Sequence, residues 1–261
     1  MSSKAILTMN RTEVKYILSP EQVTYLKEQL QPYMEVDEYG LTTIASLYYD
    51  TPDYRLIRTS LEKPSFKEKI RLRSYGTPSA TSPVYLQLKR KSLGIVYKRR
   101  AATTISETNR FFSGQGDVPG DGQISREIRY FRDFYGSLVP SMMIIYDRIA
   151  YKQREGDLRL TIDFNPRYRQ ENLDLSLGME GKSILPEGYA ILEVKIQDAC
   201  PLWLSRILDA GHIYKSSFSK YGEAYKKQLI HQQNTPLRRL PTWNNSSTPS
   251  SLPKLRQQPI S

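Results

Sequence analysis

Residues Lys69–Gly76 read KIRLRSYG, and this stretch sets a pattern that most of the chain follows. Basic residues at positions 69, 71 and 73 alternate with Ile70 and Leu72. Because successive side chains of a β-strand point to opposite faces, the stretch predicts a strand with one cationic face and one apolar face.

The same period of two recurs along the chain and predicts a mainly β (α+β) fold. The number and spacing of these segments predict an antiparallel sheet large enough to close on itself. The predicted strands are Glu13–Ile17, Thr43–Tyr49, Lys69–Tyr75, Val84–Lys91, Val96–Thr103, Met142–Tyr151, Leu158–Asp163 and Ala190–Ile196.

Helix signals are few, so we expect a few peripheral helices around the sheet. Ser19 is a predicted N-cap, with proline at the first helical position and glutamine at the third. Apolar residues then follow at helical spacing. The predicted helices run from Pro20 to about Gln31, over Arg126–Tyr135, over Leu202–Ala210 and over Lys220–Leu229.

The predicted strands collect cations on shared faces, with few acids among them. A solvated face of a half-buried sheet is one interpretation of such alternation. However, like charges on neighbouring strands repel, so a mainly cationic face favours a multivalent anion bound there. The cations are Arg11, Lys15, Lys69, Arg71, Arg73, Lys89, Lys91, Arg148, Arg159 and Lys195.

Three carboxylates share these faces: Glu13, Asp163 and Glu193. Carboxylate oxygens are ligands for Mg²⁺ or Mn²⁺, which bind through one or two of them together with substrate phosphates. The sequence therefore predicts a metal site at one or more of these residues. Structural ion pairs with neighbouring lysine and arginine are the alternative.

The bulk composition points to an anionic partner but does not identify it. The 261 residues carry a formal net charge of +11, of which four positive charges lie in the Pro-, Ser- and Asn-rich segment 232–261. We expect a folded domain over residues 1–231 and a disordered basic tail over 232–261. With one cysteine, no apolar leader and no membrane-spanning run, the cytoplasm is the expected compartment, and any membrane anchor would come from a partner.

Taken in order, the segments resemble the polyphosphate polymerase domain of the vacuolar transporter chaperone complex, a branch of the triphosphate tunnel metalloenzymes. The resemblance covers about Arg11–Leu229. It rests on RTEVKY from Arg11, SLYYDT from Ser46, KIRLRSYG, LQLKRK from Leu86, VYKRR from Val96, YDRIAY from Tyr146, LRLTID from Leu158, ILEVK from Ile191 and FSKYGEAY from Phe218.

The resemblance implies an eight-stranded antiparallel β-barrel tunnel that takes nucleoside triphosphate and polyphosphate or triphosphate. It implies that Glu193 binds a divalent metal and that a set of cations contacts phosphates. That set is Lys15, Arg71, Arg73, Lys89, Lys98, Arg148, Arg159 and Lys220. The remaining cations of the shared faces, Arg11, Lys69, Lys91 and Lys195, are further candidates for phosphate binding.

Two positions depart from the family pattern. Gln87 stands where the family more often has glutamate, and Arg11 stands where the triphosphatase branch has the first glutamate of Glu-x-Glu-x-Lys. Each change removes a carboxylate that could bind a metal. The departures therefore favour a single metal site over a two-metal hydrolase.

Three functions fit these features. The first is a polyphosphate polymerase that uses a nucleoside triphosphate, and the second is a hydrolase of triphosphate or short polyphosphate in the same tunnel. The third is a non-catalytic module that binds polyanions such as RNA. Nucleic acid is the less expected ligand, because Tyr48 and Tyr49 face opposite ways in their strand and make a poor platform for stacked bases.

Overall fold

The computed structural model describes residues 12–93, 95–118, 120, 122–196 and 199–234. These residues form one ten-stranded antiparallel sheet and six helices. The strands are β1 Thr12–Leu18, β2 Met34–Asp50, β3 Phe66–Tyr75, β4 Val84–Ser92, β5 Ile95–Thr103, β6 Val139–Gln153, β7 Arg159–Arg169, β8 Lys182–Ser183, β9 Ala190–Ile196 and β10 Lys215–Ser216. The helices are α1 Pro20–Leu30, α2 Arg55–Leu61, α3 Ile105–Phe112, α4 Gln123–Tyr135, α5 Leu202–Ala210 and α6 Lys220–Asn234.

The predicted mainly β fold is confirmed. All eight predicted strands are present, and two short strands, β8 and β10, are added to them. The strand order is β10-β1-β9-β7-β6-β2-β3-β4-β5, with β8 paired to β7. Strand β2 is much longer than predicted, because its first half pairs with β6 in a largely exposed ribbon that lacks alternating burial.

The sheet curls so that its ends approach through side chains. Within the described residues, the hydrogen-bonded ladder leaves β5 and β10 as edges and does not close into a complete barrel. Nevertheless, Lys98 Nζ on β5 lies 3.8 Å from Glu13 Oε2 on β1. We call the face on which these two side chains meet the inner face.

Two apolar cores cover the outer face of the sheet. One lies between β2, β3, β4 and β6 and the helices α3 and α4, with Leu72, Leu86 and Phe131 among its fully buried members. The other lies between β1, β7 and β9 and the helices α1 and α5, with Leu160 and Leu192 among its buried members. Because the helices pack against the apolar side of each strand, the charged side chains point to the inner face.

The helices α2 and α6 pack against the inner face of β2 and β6. They enclose a third apolar cluster that includes Ile57, Met142 and Tyr221. The Tyr221 ring stacks on Tyr48 of β2 at 4.3 Å between centroids. Helix α2 also contacts the start of β3, where Lys67 Nζ donates to Ser60 O at 3.3 Å.

The helix predictions are confirmed in four cases. The capping box at Ser19 and Gln22 is present, with Ser19 N donating to Gln22 Oε1 at 3.0 Å. The sequence reasoning missed α3, although Thr104 and Glu107 form a second capping box. The predicted boundary at residue 231 falls inside α6, and residues 235–261 lie outside the described part of the chain. No described helix is both long and apolar enough to cross a membrane.

Helix α2 was also missed, because its cap comes from upstream. Its N-cap residue, Tyr54, has a left-handed backbone and makes no side-chain cap. Instead, the buried carboxylate of Asp50 accepts from the backbone N–H groups of Leu56 and Ile57 at 2.8 and 3.0 Å. It also accepts from Tyr221 Oη at 3.0 Å, so one side chain fastens α2 and α6 to β2.

Replacing Asp50 tests this fastening. Asp50→Ala leaves buried donors of α2 and Tyr221 unpaired, so we expect the free energy of unfolding to fall by about 3 kcal/mol. Urea denaturation measures the change. The control is Asp53→Ala in the same turn, where the side chain is exposed and a loss of about 0.5 kcal/mol is expected. Equal effects of the two substitutions would contradict the role given to Asp50.

Candidate functional site

Strand β3 supplies two arginines to the inner face, and both are held by neutral groups. Arg71 Nε donates to Gln87 Oε1 at 3.0 Å, and its Nη1 donates to Tyr48 Oη at 3.0 Å. Gln87 therefore orients Arg71 without neutralising it. A glutamate at this position would have formed an ion pair instead.

Arg73 has the same kind of environment one position further along the inner face. Its Nε donates to Ser46 Oγ at 3.2 Å, and its Nη2 donates to Tyr146 Oη at 2.8 Å. Burial lowers the pKa of Arg73, and the nearby Arg71 lowers it further. Two guanidinium groups thus lie side by side in fixed orientations, with donors left over for an anion.

The carboxylates of the inner face lie on β7 and β9 and hold a second group of cations. Asp163 is fully buried, and its two oxygens accept from Arg148 Nε at 2.6 Å and Arg148 Nη2 at 2.8 Å. Lys220, the first residue of α6, also donates to Asp163. Glu193 accepts from Arg148 Nη2 at 3.1 Å and from Lys220 Nζ at 3.2 Å.

Lys15 of β1 lies between two carboxylates. Its Nζ is 3.1 Å from Glu193 Oε1 and 3.4 Å from Glu13 Oε1. Burial lowers the pKa of Lys15, but Glu193 and Glu13 together outweigh it, so the net pKa is raised. The ammonium group remains charged and links the carboxylates of two neighbouring strands.

Glu193 and Lys220 have strongly shifted pKa values, because each of them faces opposite charges at close range. Burial raises the pKa of Glu193, but Lys220, Lys15 and Arg148 outweigh it and hold the pKa well below its usual range. Burial lowers the pKa of Lys220, but Asp163 and Glu193 outweigh it and raise the pKa. Glu193 and Lys220 are therefore both ionised at neutral pH.

Other lysines of the inner face lack such compensation. Burial lowers the pKa values of Lys89, Lys98 and Lys195. Glu13 opposes this for Lys89 and Lys98, and Glu193 opposes it for Lys195, but the net pKa of each stays lowered, with neighbouring cations contributing. Lys89 lies directly opposite Lys98 in the β4–β5 ladder. Like charges therefore face each other across paired strands, an arrangement that costs stability unless an anion intervenes.

Lys69 and Tyr48 are two neighbouring inner-face groups that each lower or raise the pKa of the other. Burial is the main cause that lowers the pKa of Lys69 to about 8, against the raising influence of Tyr48. Burial raises the pKa of Tyr48, but Arg71, Lys69 and Arg73 outweigh it and bring the pKa to about 8. Lys69 Nζ also lies 5.5 Å from the centre of the Tyr221 ring.

The structure brings most of the predicted site residues together but leaves a few at the margin. Arg159 lies opposite Lys195 in the β7–β9 ladder, and Lys91 lies opposite Lys67 in the β3–β4 ladder. None of these four forms an ion pair with a described carboxylate. Arg11 lies outside the described residues.

The carboxylates fit a divalent ion only in part. Glu13 and Glu193 already share a cation, Lys15, and their oxygens are donors suited to Mg²⁺ or Mn²⁺. Asp163 differs, because Arg148 and Lys220 occupy both of its oxygens. Among the described residues, no group of three acidic, histidine or cysteine side chains could hold a metal ion by itself. The donor set therefore fits an ion that takes its remaining ligands from phosphate or water.

Sequence reasoning missed the residues that orient the two arginines of β3. Ser46 and Tyr48 share one face of β2, and Tyr146 shares its face of β6 with Arg148. The same alternation of side chains that places the cations also places Ser46, Tyr48 and Tyr146 on the inner face. Alternation gives the face of Tyr48 but not its partner, because contact with Arg71 depends on how β2 and β3 pair.

Comparisons with known proteins agree with this geometry. The model of the VTC domain family matches residues 10–229. The chain is similar in structure to a protein from Bacillus halodurans described as a candidate adenylate cyclase, with a TM-score of 0.50 and 16% identity over 81% of this chain and 96% of that one. At this identity the similarity shows the fold alone.

A second similar structure is a candidate adenylyl cyclase from Hippeastrum, described as having a dominant triphosphatase activity. The TM-score is 0.49, with 18% identity over 82% of this chain and 95% of that one. No curated protein matches the chain in sequence.

Glu193→Gln tests the electrostatic role of the carboxylates. With Glu193 neutral, Lys15, Arg148 and Lys220 repel one another, so we expect the free energy of unfolding at pH 7 to fall by about 3 kcal/mol. Because the pKa of Glu193 is lowered on folding, its stabilisation is present above the unfolded pKa of about 4.3 and is lost as pH falls further. The deficit of the variant should therefore shrink below about pH 4.

Urea denaturation across pH measures both effects. The control is Glu127→Gln on the outer face, where Glu127 pairs with the partly exposed Arg90 and Arg99 and a loss within about 1 kcal/mol is expected. A deficit for Glu193→Gln that is as small as that of the control, or that does not change with pH, would contradict the role of Glu193.

Proposed function

The chain belongs to the VTC domain family, and from that premise we propose that it is a metal-dependent polyphosphate polymerase. In this proposal, the terminal phosphoryl group of a nucleoside triphosphate passes to the end of a polyphosphate chain bound on the inner face. The observation that carries the proposal is the uncompensated charge of that face. Arg71, Arg73, Lys69 and Lys89 make no ion pair with any carboxylate that the structure describes.

The arrangement suits phosphoryl transfer, because catalysis of this reaction depends mainly on positioning and on stabilising charge. The guanidinium groups of the two β3 arginines are held in fixed orientations and can each donate two hydrogen bonds to phosphate oxygens. The lysines add point charges around them. Tyr48 and Tyr146 accept hydrogen bonds from these guanidinium groups and fix their orientation before the substrate binds. In this proposal, Arg71 and Arg73 bind the oxygens of the phosphoryl group that is transferred.

The chemical step balances without help from a side-chain base. An ionised oxygen at the end of the polyphosphate chain attacks the γ-phosphorus, and the bond from that phosphorus to the β,γ-bridging oxygen breaks. A nucleoside diphosphate leaves, and the chain grows by one phosphate. The total charge is the same on both sides, so no proton has to move.

Hydrolysis in the same place would need a group that removes a proton from the attacking water. The described carboxylates of the inner face are poorly suited to this task. Asp163 and Glu193 are both ion-paired, and the pKa of Glu13 is lowered because Lys89, Lys15 and Lys98 outweigh its burial. This observation favours transfer to phosphate over transfer to water.

A divalent ion, Mn²⁺ or Mg²⁺, would be held by Glu193 and Glu13 together with substrate phosphates, and would neutralise charge on them. The proposal gives Asp163 a different role. Because Arg148 and Lys220 occupy its oxygens, Asp163 positions these two cations beside the phosphates.

Tyr48 and Tyr49, the two adjacent tyrosines of β2, do not support an RNA-binding function. Tyr48 is stacked on Tyr221, and its hydroxyl accepts from Arg71. Tyr49 points to the outer face, where it is buried and stacked on Phe112 at 3.9 Å. Neither ring is free to stack on a base.

Product analysis tests the proposed function. Incubation of the protein with ATP and Mn²⁺ should give phosphate polymer, detected by mass spectrometry, with little orthophosphate. Arg71→Ala removes a guanidinium group from the transferring phosphoryl group, so we expect the rate to fall about 100-fold. The control is Arg99→Ala, a partly exposed outer-face arginine paired with Glu127, which should keep the wild-type rate.

Two results would overturn the proposal. Release of orthophosphate from ATP or tripolyphosphate without polymer would identify a hydrolase. The absence of any product, together with tight binding of polyphosphate, would identify a binding module.

A further inference from the structure

A cluster of aromatic and cationic side chains lies on the inner face beyond the two arginines of β3. The Tyr75 and Tyr85 rings meet edge to face at 5.9 Å between centroids. The Arg100 guanidinium carbon lies 3.5 Å from the centre of the Tyr85 ring, on its face. We call Tyr75, Tyr85 and Arg100 the aromatic mouth.

The aromatic mouth continues the row of phosphate-binding candidates. Tyr75 is two residues beyond Arg73 on β3, so both side chains share the inner face. Tyr85 lies directly opposite Arg73 in the β3–β4 ladder. Arg100 lies opposite Gln87, the residue that orients Arg71. A ligand with phosphates on the two arginines would therefore have its other end at the aromatic mouth.

Solvent reaches the aromatic mouth at the end of β3. Tyr75 is the last residue of β3 and 48% exposed, and Arg100 is also exposed. A ligand that enters from solvent thus meets the aromatic mouth at the edge and the arginines further in.

Packing does not explain the aromatic mouth. None of its three residues belongs to the apolar cores of the fold. Within the described residues, Arg100 forms no ion pair with a carboxylate, so its charge and the outer plane of its guanidinium group remain available. An exposed aromatic ring beside a stacked arginine is a surface suited to a flat aromatic ring.

We propose that the aromatic mouth binds the base of the nucleoside triphosphate while Arg73 and Arg71 hold its phosphates. This inference rests on the proposed function and names the part of the site that distinguishes a nucleotide from an inorganic phosphate chain. The base stacks on Tyr75 and on the guanidinium plane of Arg100. Tyr85 is a positioning residue that supports Arg100 from its other side.

Titration calorimetry with ATP and with tripolyphosphate tests the inference, because only ATP carries a base. Tyr75→Ala and Arg100→Ala remove stacking surfaces, each of which is expected to weaken ATP binding about tenfold. Tyr75→Ala should leave tripolyphosphate binding unchanged. Tyr75→Phe keeps the ring and should restore ATP binding to near the wild-type value. The matched control is Tyr130→Ala, an exposed tyrosine of α4 that stacks on Phe134.

The inference is overturned if Tyr75→Ala binds ATP as tightly as wild type, or if it weakens ATP and tripolyphosphate binding equally. Both results differ from failure of the proposed function, in which the wild-type protein itself forms no polymer from ATP. Circular dichroism of each variant shows that it is folded before it is titrated. A folded Tyr75→Ala variant that loses only ATP affinity supports the aromatic mouth as the base subsite.

Discussion

Asp163 and Glu193 hold together the part of the structure on which everything else depends. Their oxygens accept from Arg148, Lys220 and Lys15, which lie on β6, α6 and β1. Five elements thus meet at two buried carboxylates. The ion pairs satisfy these three cations. Arg71 and Arg73 on β3 instead have neutral partners, so an anion can bind there.

The helices make this distribution possible. Because α1, α3, α4 and α5 cover the apolar side of the sheet, the polar side forms the concave inner face, which partly encloses Arg71, Arg73 and Lys69. Cations inside a concave, low-dielectric space interact more strongly with a phosphate chain than they would in open water. The pKa values of Lys69 and Lys89 are lowered because burial and neighbouring lysines disfavour their charged forms.

Local patterns in the sequence were enough to predict the strands and the direction of their charged side chains. The alternation around Arg71 and Glu193 placed both on the face where the structure has them. Contacts between distant segments were beyond such patterns. The cap that Asp50 gives to α2, the approach of Lys98 to Glu13 and the support of Arg73 by Tyr146 all depend on how the sheet curls. The resemblance supplied Lys98 and Lys220, which lie outside any cationic strand face that alternation alone had indicated.

The central claim, that the inner face carries charge awaiting a phosphate chain, is tested most directly by protons taken up on binding. Free Lys69 and Tyr48 each titrate near pH 8, and bound phosphate raises both pKa values, so each takes up protons. Calorimetry of tripolyphosphate binding at pH 8, in two buffers of different ionisation enthalpy, measures the number. We predict greater uptake by wild type than by a Lys69→Arg/Tyr48→Phe double variant. Equal proton exchange by the two proteins would contradict the account.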